Sequence, residues 1–226
     1  MSHALLIETA TERGGFALFA DDALIYEKQL PPGYQNTQFL MPLLVETLTQ
    51  HKLSVKNLSW IACGIGPGSY TGIRVAASIT KTLAYACQLP LIGLCSLEAF
   101  IPKEDGSFVT LIDARVGGVY LLRGERSGDK IRYFSEPMIC DFDRLENVLT
   151  EEQRIVTPHT ASLQGKLEKA FPNRMWIYED ASPSFEHLGQ RALEKFQRGE
   201  VNTPEDLDLL YLRKTQAEIE RASYLP

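Results

Sequence analysis

The stretch from Trp60 to Ala86, WIACGIGPGSYTGIRVAASITKTLAYA, constrains this chain more than any other. Trp60 to Cys63 is a short apolar run of the length a buried strand needs. Gly64, Gly66 and Gly68, with Pro67 between them, then interrupt any regular pattern and allow a tight turn or a close backbone approach. Ser69 or Thr71 can cap the helix that follows, because a short hydroxyl satisfies a free N–H of the first turn. Along that helix Val75, Ile79 and Leu83 form an apolar row, and Gly72, Ala76, Thr80 and Ala84 a row of small residues. Two such rows predict a helix packed on two sides, against its own sheet and against a second surface. Strand, glycine turn and packed helix together point to the α/β class.

A glycine turn aimed at a helix N-terminus can bind an anion, since free N–H groups and the helix dipole both favour negative charge. The phosphate-loop pattern wants GxxxxGK followed by Ser or Thr, and the dinucleotide pattern wants GxGxxG. Here no lysine follows the glycines in register, and Ser69 stands where the third dinucleotide glycine would fall. The spacing leaves two readings open, a nucleotide-binding turn and a tight structural turn.

With 226 residues the chain can bury a real core in one large domain or two small lobes. No apolar run reaches the roughly 20 residues needed to span a bilayer. The first residues, Met1 to Ala4, show neither a basic region nor a cleavage site, so no signal peptide is expected. A net charge of −6 argues against a large autonomous nucleic-acid surface, which is normally basic. Cys63, Cys87, Cys95 and Cys140 form no CxxC pair and read as free thiols in a reducing compartment. His3, His51, His159 and His187 show no HxxxH spacing, so no metal site is expected from sequence neighbours.

Ala4–Glu8, Phe16–Ala20 and Ala23–Gln29 read as three strands at short spacing, an antiparallel meander that opens a mixed sheet. Gln35 to Lys52 is a long helical pattern with Leu40, Leu43, Leu44, Thr47 and Leu48 on one face and Asn36 or Thr37 as cap. Pro42 requires that helix to start near Met41 or to kink. Met41, Val45 and Leu48 widen its apolar arc. Surplus apolar surface on two neighbouring helices suits either a third layer of the same chain or a protein interface. Leu91–Leu94 reads as a strand and Ser96 as the cap of a helix Leu97–Ile101. Phe108–Ile112, Val119–Arg123 and Ile131–Phe134 form a second meander. Asp113 and Arg115 at its first turn read as a local ion pair. Further on, helices are expected to Leu149, over Ala161–Phe171 and over Glu186–Arg198, with strands Arg154–Thr157 and Met175–Tyr178. Lys214 to Ala222 is a charged tail.

Four ordered segments carry a family resemblance: GPGSYTGIRV from Gly66, PLIGLCSLEAF from Pro90, IDARVGGVYLL from Ile112, and LYLR from Leu210 to Arg213. Together they are very similar to the signatures of the TsaB (YeaZ) family. The resemblance implies a two-lobed actin-like ATPase fold (ASKHA, RNase H-like), α/β throughout, with residues 1–101 as the N-terminal lobe and 102–226 as a smaller C-terminal lobe. It implies a non-catalytic accessory subunit of the bacterial machinery that makes N6-threonylcarbamoyladenosine at position 37 of tRNA. The partners would be the transferase TsaD and the ATPase TsaE, with self-pairing as another use of the same helices. Contact with tRNA would be indirect, no cofactor or metal is implied, and the location would be cytoplasmic. The implied docking residues are Thr37, Leu40, Met41, Leu44, Thr71, Arg74, Ala77 and Ser78. A residual nucleotide site would draw on Glu8, Thr9, Gly66, Gly68 and Asp113. Two departures weaken any inherited metal chemistry: Glu8 stands where the family generally has Asp, and Asn36 stands where it has His. The rival class is a small-molecule kinase or ATPase that uses the same cleft, with Glu8 and Asp113 facing phosphate. A metallopeptidase would need histidine pairs that the chain lacks.

Overall fold

The computed structural model describes residues 2–31, 36–115, 117–149 and 154–213. The first sheet has the order β3-β2-β1-β4-β5, built from β1 (His3–Glu8), β2 (Gly15–Ala20), β3 (Ala23–Gln29), β4 (Leu58–Gly64) and β5 (Leu91–Leu94). β1, β2 and β3 pair antiparallel, as a meander must, and β4 and β5 continue from β1 in parallel. The strands are apolar on both faces because both faces are covered. Leu5, Ile7, Phe16, Leu18, Ile61 and Cys63 meet Leu40, Leu44, Leu48, Ala76 and Ala84 from helices α1 (Leu40–Gln50) and α2 (Tyr70–Cys87). Ala4, Leu6, Phe19, Trp60 and Ile92 line the opposite face with Phe185, Leu188 and Ala192 of α5 (Phe185–Gln197).

The second sheet runs β11-β10-β6-β7-β8, with β9 also pairing to β7. Its strands are β6 (Gly106–Asp113), β7 (Gly118–Ser127), β8 (Lys130–Tyr133), β9 (Met138–Asp141), β10 (Arg154–Thr157) and β11 (Ile177–Asp180). One face, through Phe108, Ile112, Tyr120, Leu122 and Val156, joins the same core as Trp60 and Phe100. The other face is covered by α3 (Phe142–Val148) and α4 (Thr160–Ala170), with Leu145, Leu163 and Leu167 buried there. The two mixed sheets thus share an apolar junction, and each carries helices on its remaining surface. The arrangement is that of the actin-like fold.

Several expectations need correction. α1 begins at Leu40, after a 3-10 turn over Asn36–Phe39, and Phe39 rather than Asn36 or Thr37 sits at its N-cap. Pro42 therefore falls in the first turn, where its missing N–H costs nothing. Along α2 the small row faces the sheet: Gly72, Ala76, Thr80 and Ala84 are buried, while Val75, Ile79 and Leu83 are half-buried at the rim of the same core. Small side chains let the helix axis lie close to the strands. Ser96 caps nothing. It begins a 3-10 turn, Ser96–Ala99, and its hydroxyl is used elsewhere. β11 lies two residues later than expected, and β9 was not foreseen. The charged tail from Lys214 lies outside the described residues.

α5 adds a pH-sensitive element to the junction. His187 is 8% exposed and sits 3.1 Å through Nε2 from Tyr133 Oη of β8. Burial, helped by Arg191 and Arg126 against the opposing pull of Glu194, pushes its imidazole down from 6.5 to about 4. The folded chain keeps this ring neutral while the unfolded chain takes up a proton below about 6.5. Stability is therefore lost as pH falls from about 6.5 towards about 4. Urea titrations should show His187→Gln losing roughly 2 kcal/mol less stability than the wild type between pH 7 and 4.5. Parallel pH profiles would contradict the assignment.

Candidate functional site

Glu8 ends β1 and is only 1% exposed. Its Oε1 accepts a 2.6 Å hydrogen bond from the Ala10 N–H, while Oε2 has no partner among the described residues. The Ser96 hydroxyl lies beside the carboxyl and itself accepts from the Gly66 N–H at 3.1 Å. Burial is the largest influence on Glu8 and pushes its pKa up; the bonds from Ala10, Ser96 and Thr9 only partly oppose it. A Cβ at Gly64 would fall 1.9 Å from Oε2, so the carboxyl is packed directly on the backbone of β4.

The glycine turn closes over the loop that follows Glu8. Ser69 caps α2 by accepting from the Gly72 N–H, and the Ser69 N–H donates to Ala10 O at 2.8 Å. The Thr9 hydroxyl donates to Gly72 O at 2.8 Å. A Cβ at Gly72 would lie 1.9 Å from Thr9 O, and one at Gly68 would lie 2.4 Å from Ala10 O. These glycines thus permit backbone-to-backbone packing. Two N–H groups that a phosphate would need are already spent on acceptors of the chain itself. Of the two readings left open by the spacing, the geometry favours the tight structural turn.

Asp113, at the end of β6, sits in a separate set of contacts. Its Oδ2 accepts from Lys166 Nζ at 2.7 Å and from Ser162 Oγ at 3.0 Å, and Oδ1 accepts from the Arg115 N–H. Burial raises its pKa, but Lys166, Arg115 and Ser162 outweigh it and leave the carboxyl below its ordinary value. Lys166 of α4 is thus a charged partner of Asp113, and Arg115 meets the carboxyl through its backbone N–H. His159 adjoins the set. Its Nδ1 accepts from the Asp113 N–H at 3.1 Å, so the ring proton is on Nε2, which meets Glu12 Oε2 at 2.8 Å. With both nitrogens committed, this imidazole is poorly placed to move a proton or bind a metal. Among the described residues, no group of three or more His, Cys, Asp or Glu side chains could hold a metal ion.

Next to it Arg13 forms a forked pair with Asp180, at 2.7 and 2.8 Å, and reaches Ala181 O at 3.2 Å. Glu12 and Arg13 lie between β1 and β2, whereas His159 is the N-cap of α4, just after β10, and Asp180 ends β11 of the second sheet. Two charge-assisted contacts therefore close the mouth between the sheets. Sequence reading missed Glu12, Arg13, His159, Lys166 and Asp180. Nothing local marks them, since each cross-sheet contact spans about 150 residues or more.

The helix face divides differently. Leu40 and Leu44 are 0% and 1% exposed and Ala77 is 4% exposed, so these three support the face from beneath and present no docking surface. Thr71, Arg74 and Ser78 are exposed, as is Met41. Phe39, Val45 and Tyr85 are exposed apolar neighbours that the implied set omitted. Thr37 lies in the 3-10 turn; its side chain is outside the described residues.

Because burial lifts the pKa of Glu8, its neutral carboxyl contributes stability that is fully present below the ordinary value of 4.5 and is lost as pH rises through the elevated value and the buried group ionises. Glu8→Gln should therefore fold, and its stability relative to the wild type should improve from pH 4.5 to pH 8 in chemical denaturation. A pH-independent difference would contradict a sealed carboxyl.

The family model for TsaD, tRNA N6-adenosine threonylcarbamoyltransferase, matches residues 35–201. The chain is 34% identical over 137 residues to the tRNA threonylcarbamoyladenosine biosynthesis protein TsaB of Escherichia coli K12, covering 58% of this chain and 59% of that protein. It is 33% identical over 119 residues to TsaB of Bacillus subtilis 168, covering 51% of this chain and 52% of that protein. These two matches therefore span little more than half of each relative's length. TsaB of Haemophilus influenzae is 30% identical over 173 residues, with 74% of this chain and 69% of that protein covered. The structure of YeaZ from Pseudomonas aeruginosa superposes with a TM-score of 0.80 over 94% of this chain and 100% of that chain, at 22% identity, which speaks for the fold. On these matches, the chain belongs to the TsaB (YeaZ) family.

Proposed function

We propose that this chain is a non-catalytic accessory subunit in the synthesis of N6-threonylcarbamoyladenosine at position 37 of tRNA. In this reading it docks on the transferase TsaD through the outer faces of α1 and α2 and stabilises the conformation of TsaD that is competent for transfer. One observation carries the reading. Phe39, Met41, Val45 and Tyr85 are exposed, at 42%, 39%, 56% and 72%, on or beside two helices whose inner faces are already full. Exposed apolar side chains on helices that need no further covering for their own core suit an interaction site. The names of the relatives supply the process; the helix face supplies the means.

The sealed Glu8 weighs against the rival kinase or ATPase, which needs that carboxylate facing a bound phosphate. Glu8, Thr9, Gly66, Gly68 and Asp113 are accordingly assigned structural roles. The proposal keeps residues 1–101 and 102–226 as the two lobes, with α5 returning from the second to pack on the first sheet. TsaE would join the TsaD-bound form, the same face would serve for self-pairing, and tRNA would be met through TsaD. A cytoplasmic location belongs to the reading as well; among the described residues no helix is long and apolar enough to cross a membrane.

Ala76 and Ala77 are buried, so charging them would break the packing of α2 and would not probe the docking surface. Met41→Asp combined with Val45→Asp should weaken calorimetric binding to TsaD of the same organism by at least about tenfold. Met175→Asp, at an equally apolar but remote position that is 89% exposed, should leave it unchanged. Wild-type affinity in the Met41/Val45 variant would remove the proposed face.

A further inference from the structure

After α5 the chain runs back along the first sheet. Asn202 exchanges backbone hydrogen bonds with Leu91 on β5, and Leu207 is buried in the core beside Gly93. The Leu210 N–H then donates to Ile65 O, on the glycine turn, at 2.8 Å. Tyr211 stacks on Tyr70 of α2 with ring centroids 5.1 Å apart and planes at 17°. The Arg74 guanidinium lies 5.6 and 5.5 Å from the Tyr70 and Tyr211 rings, and its Nε donates to Tyr211 Oη at 2.8 Å. Tyr70 Oη donates to Arg213 O, and Arg213 Nη1 donates to Ala114 O just beyond β6. Leu207 to Arg213 thus ties together the glycine turn, the first two turns of α2 and the second sheet.

Leu207, buried in the core, and the Leu210–Ile65 bond anchor the segment to the first sheet. The tyrosine–arginine cluster does something else. Tyr211 is 43% exposed, and its ring and hydroxyl are spent on Arg74, an exposed residue of α2. Fixing an exposed guanidinium lowers the chain's own conformational freedom and buries little apolar surface. The cost is offset when the fixed group is used in binding, because ordering it beforehand removes that penalty from association. Tyr70, Arg74 and Ser78 recur every four residues and share one side of the helix. Tyr211 therefore continues the α2 face with a ring from a different segment.

We propose that Leu207–Arg213 is a clasp that presets the first two turns of α2 for docking, with Tyr211 as the positioning residue for Arg74. The docking surface is then composite, helix plus clasp, and extends from Met41 to Tyr211. This inference rests on the docking reading above. It also has consequences of its own in the free chain.

The test uses the full chain, wild type and with Tyr211→Ala, Tyr211→Phe or Arg74→Lys, together with purified TsaD and hydrogen exchange on each free protein. Tyr211→Ala should weaken binding about tenfold and speed amide exchange over residues 65–74, with little change in melting temperature. Tyr211→Phe keeps the stacked ring and should recover most of the loss. If Tyr211→Ala does not fold, Arg74→Lys, which keeps the charge but loses the planar stack and the Nε donor, should show the same loss. Binding lost on charging Met41 and Val45 but unchanged by Tyr211→Ala and Arg74→Lys would overturn the clasp alone. Unchanged exchange over residues 65–74 would overturn it regardless of binding. A wild-type chain that does not bind TsaD would overturn both readings.

Discussion

The structure depends on the close approach of the first turn of α2 to the loop after β1. Gly68 and Gly72 bring backbone to backbone there, and the Thr9 and Ser69 bonds fix the contact. From this point α2 is laid along the sheet by its small row, which keeps the helix near the strands and leaves its other side for solvent. The same contact seals Glu8 and uses donors that a phosphate would otherwise find.

The polar contacts between the sheets extend that logic. Glu12 to His159 and Arg13 to Asp180 satisfy charges at the mouth between the sheets, and Lys166 holds Asp113. Such pairs contribute modestly when exposed, but forked geometry and partial burial make them directional. They give Glu12, Arg13 and Asp113 partners from the chain itself. A fold shared with enzymes does not bring their chemistry with it, because chemistry belongs to the site. Here the more accessible chemical feature is apolar: the outer side of α1 and α2.

Much of this was legible in the sequence, for physical reasons that differ by element. β3 and β10 fall where the residues placed them, because turn residues flank short apolar or alternating runs. The Ser69 cap was legible because capping is local. β9 was not. Met138–Asp141 is four residues long, and its pairing with β7 across an intervening strand is invisible to local pattern. Leu40, Leu44 and Ala77, which the resemblance implies as docking residues, are buried, because likeness to a family marks the helix without saying which of its residues the core covers. Asp113 could be singled out at a strand end, but Lys166 and His159 could not be attached to it, since each reaches it across a long stretch of chain. The Tyr211–Arg74 contact is of the same kind, joining residues 137 apart.

The central claim is that this chain acts by docking and performs no chemistry of its own. It is tested most directly by reconstituting threonylcarbamoyl transfer to tRNA with TsaD and TsaE of the same organism, with and without this chain, while following magnesium-dependent ATP turnover by the chain alone. The expected result is transfer that requires the chain and no ATP turnover by the isolated protein. Transfer indifferent to the chain, or ATP turnover by the chain that disappears with Glu8→Gln, would contradict the account.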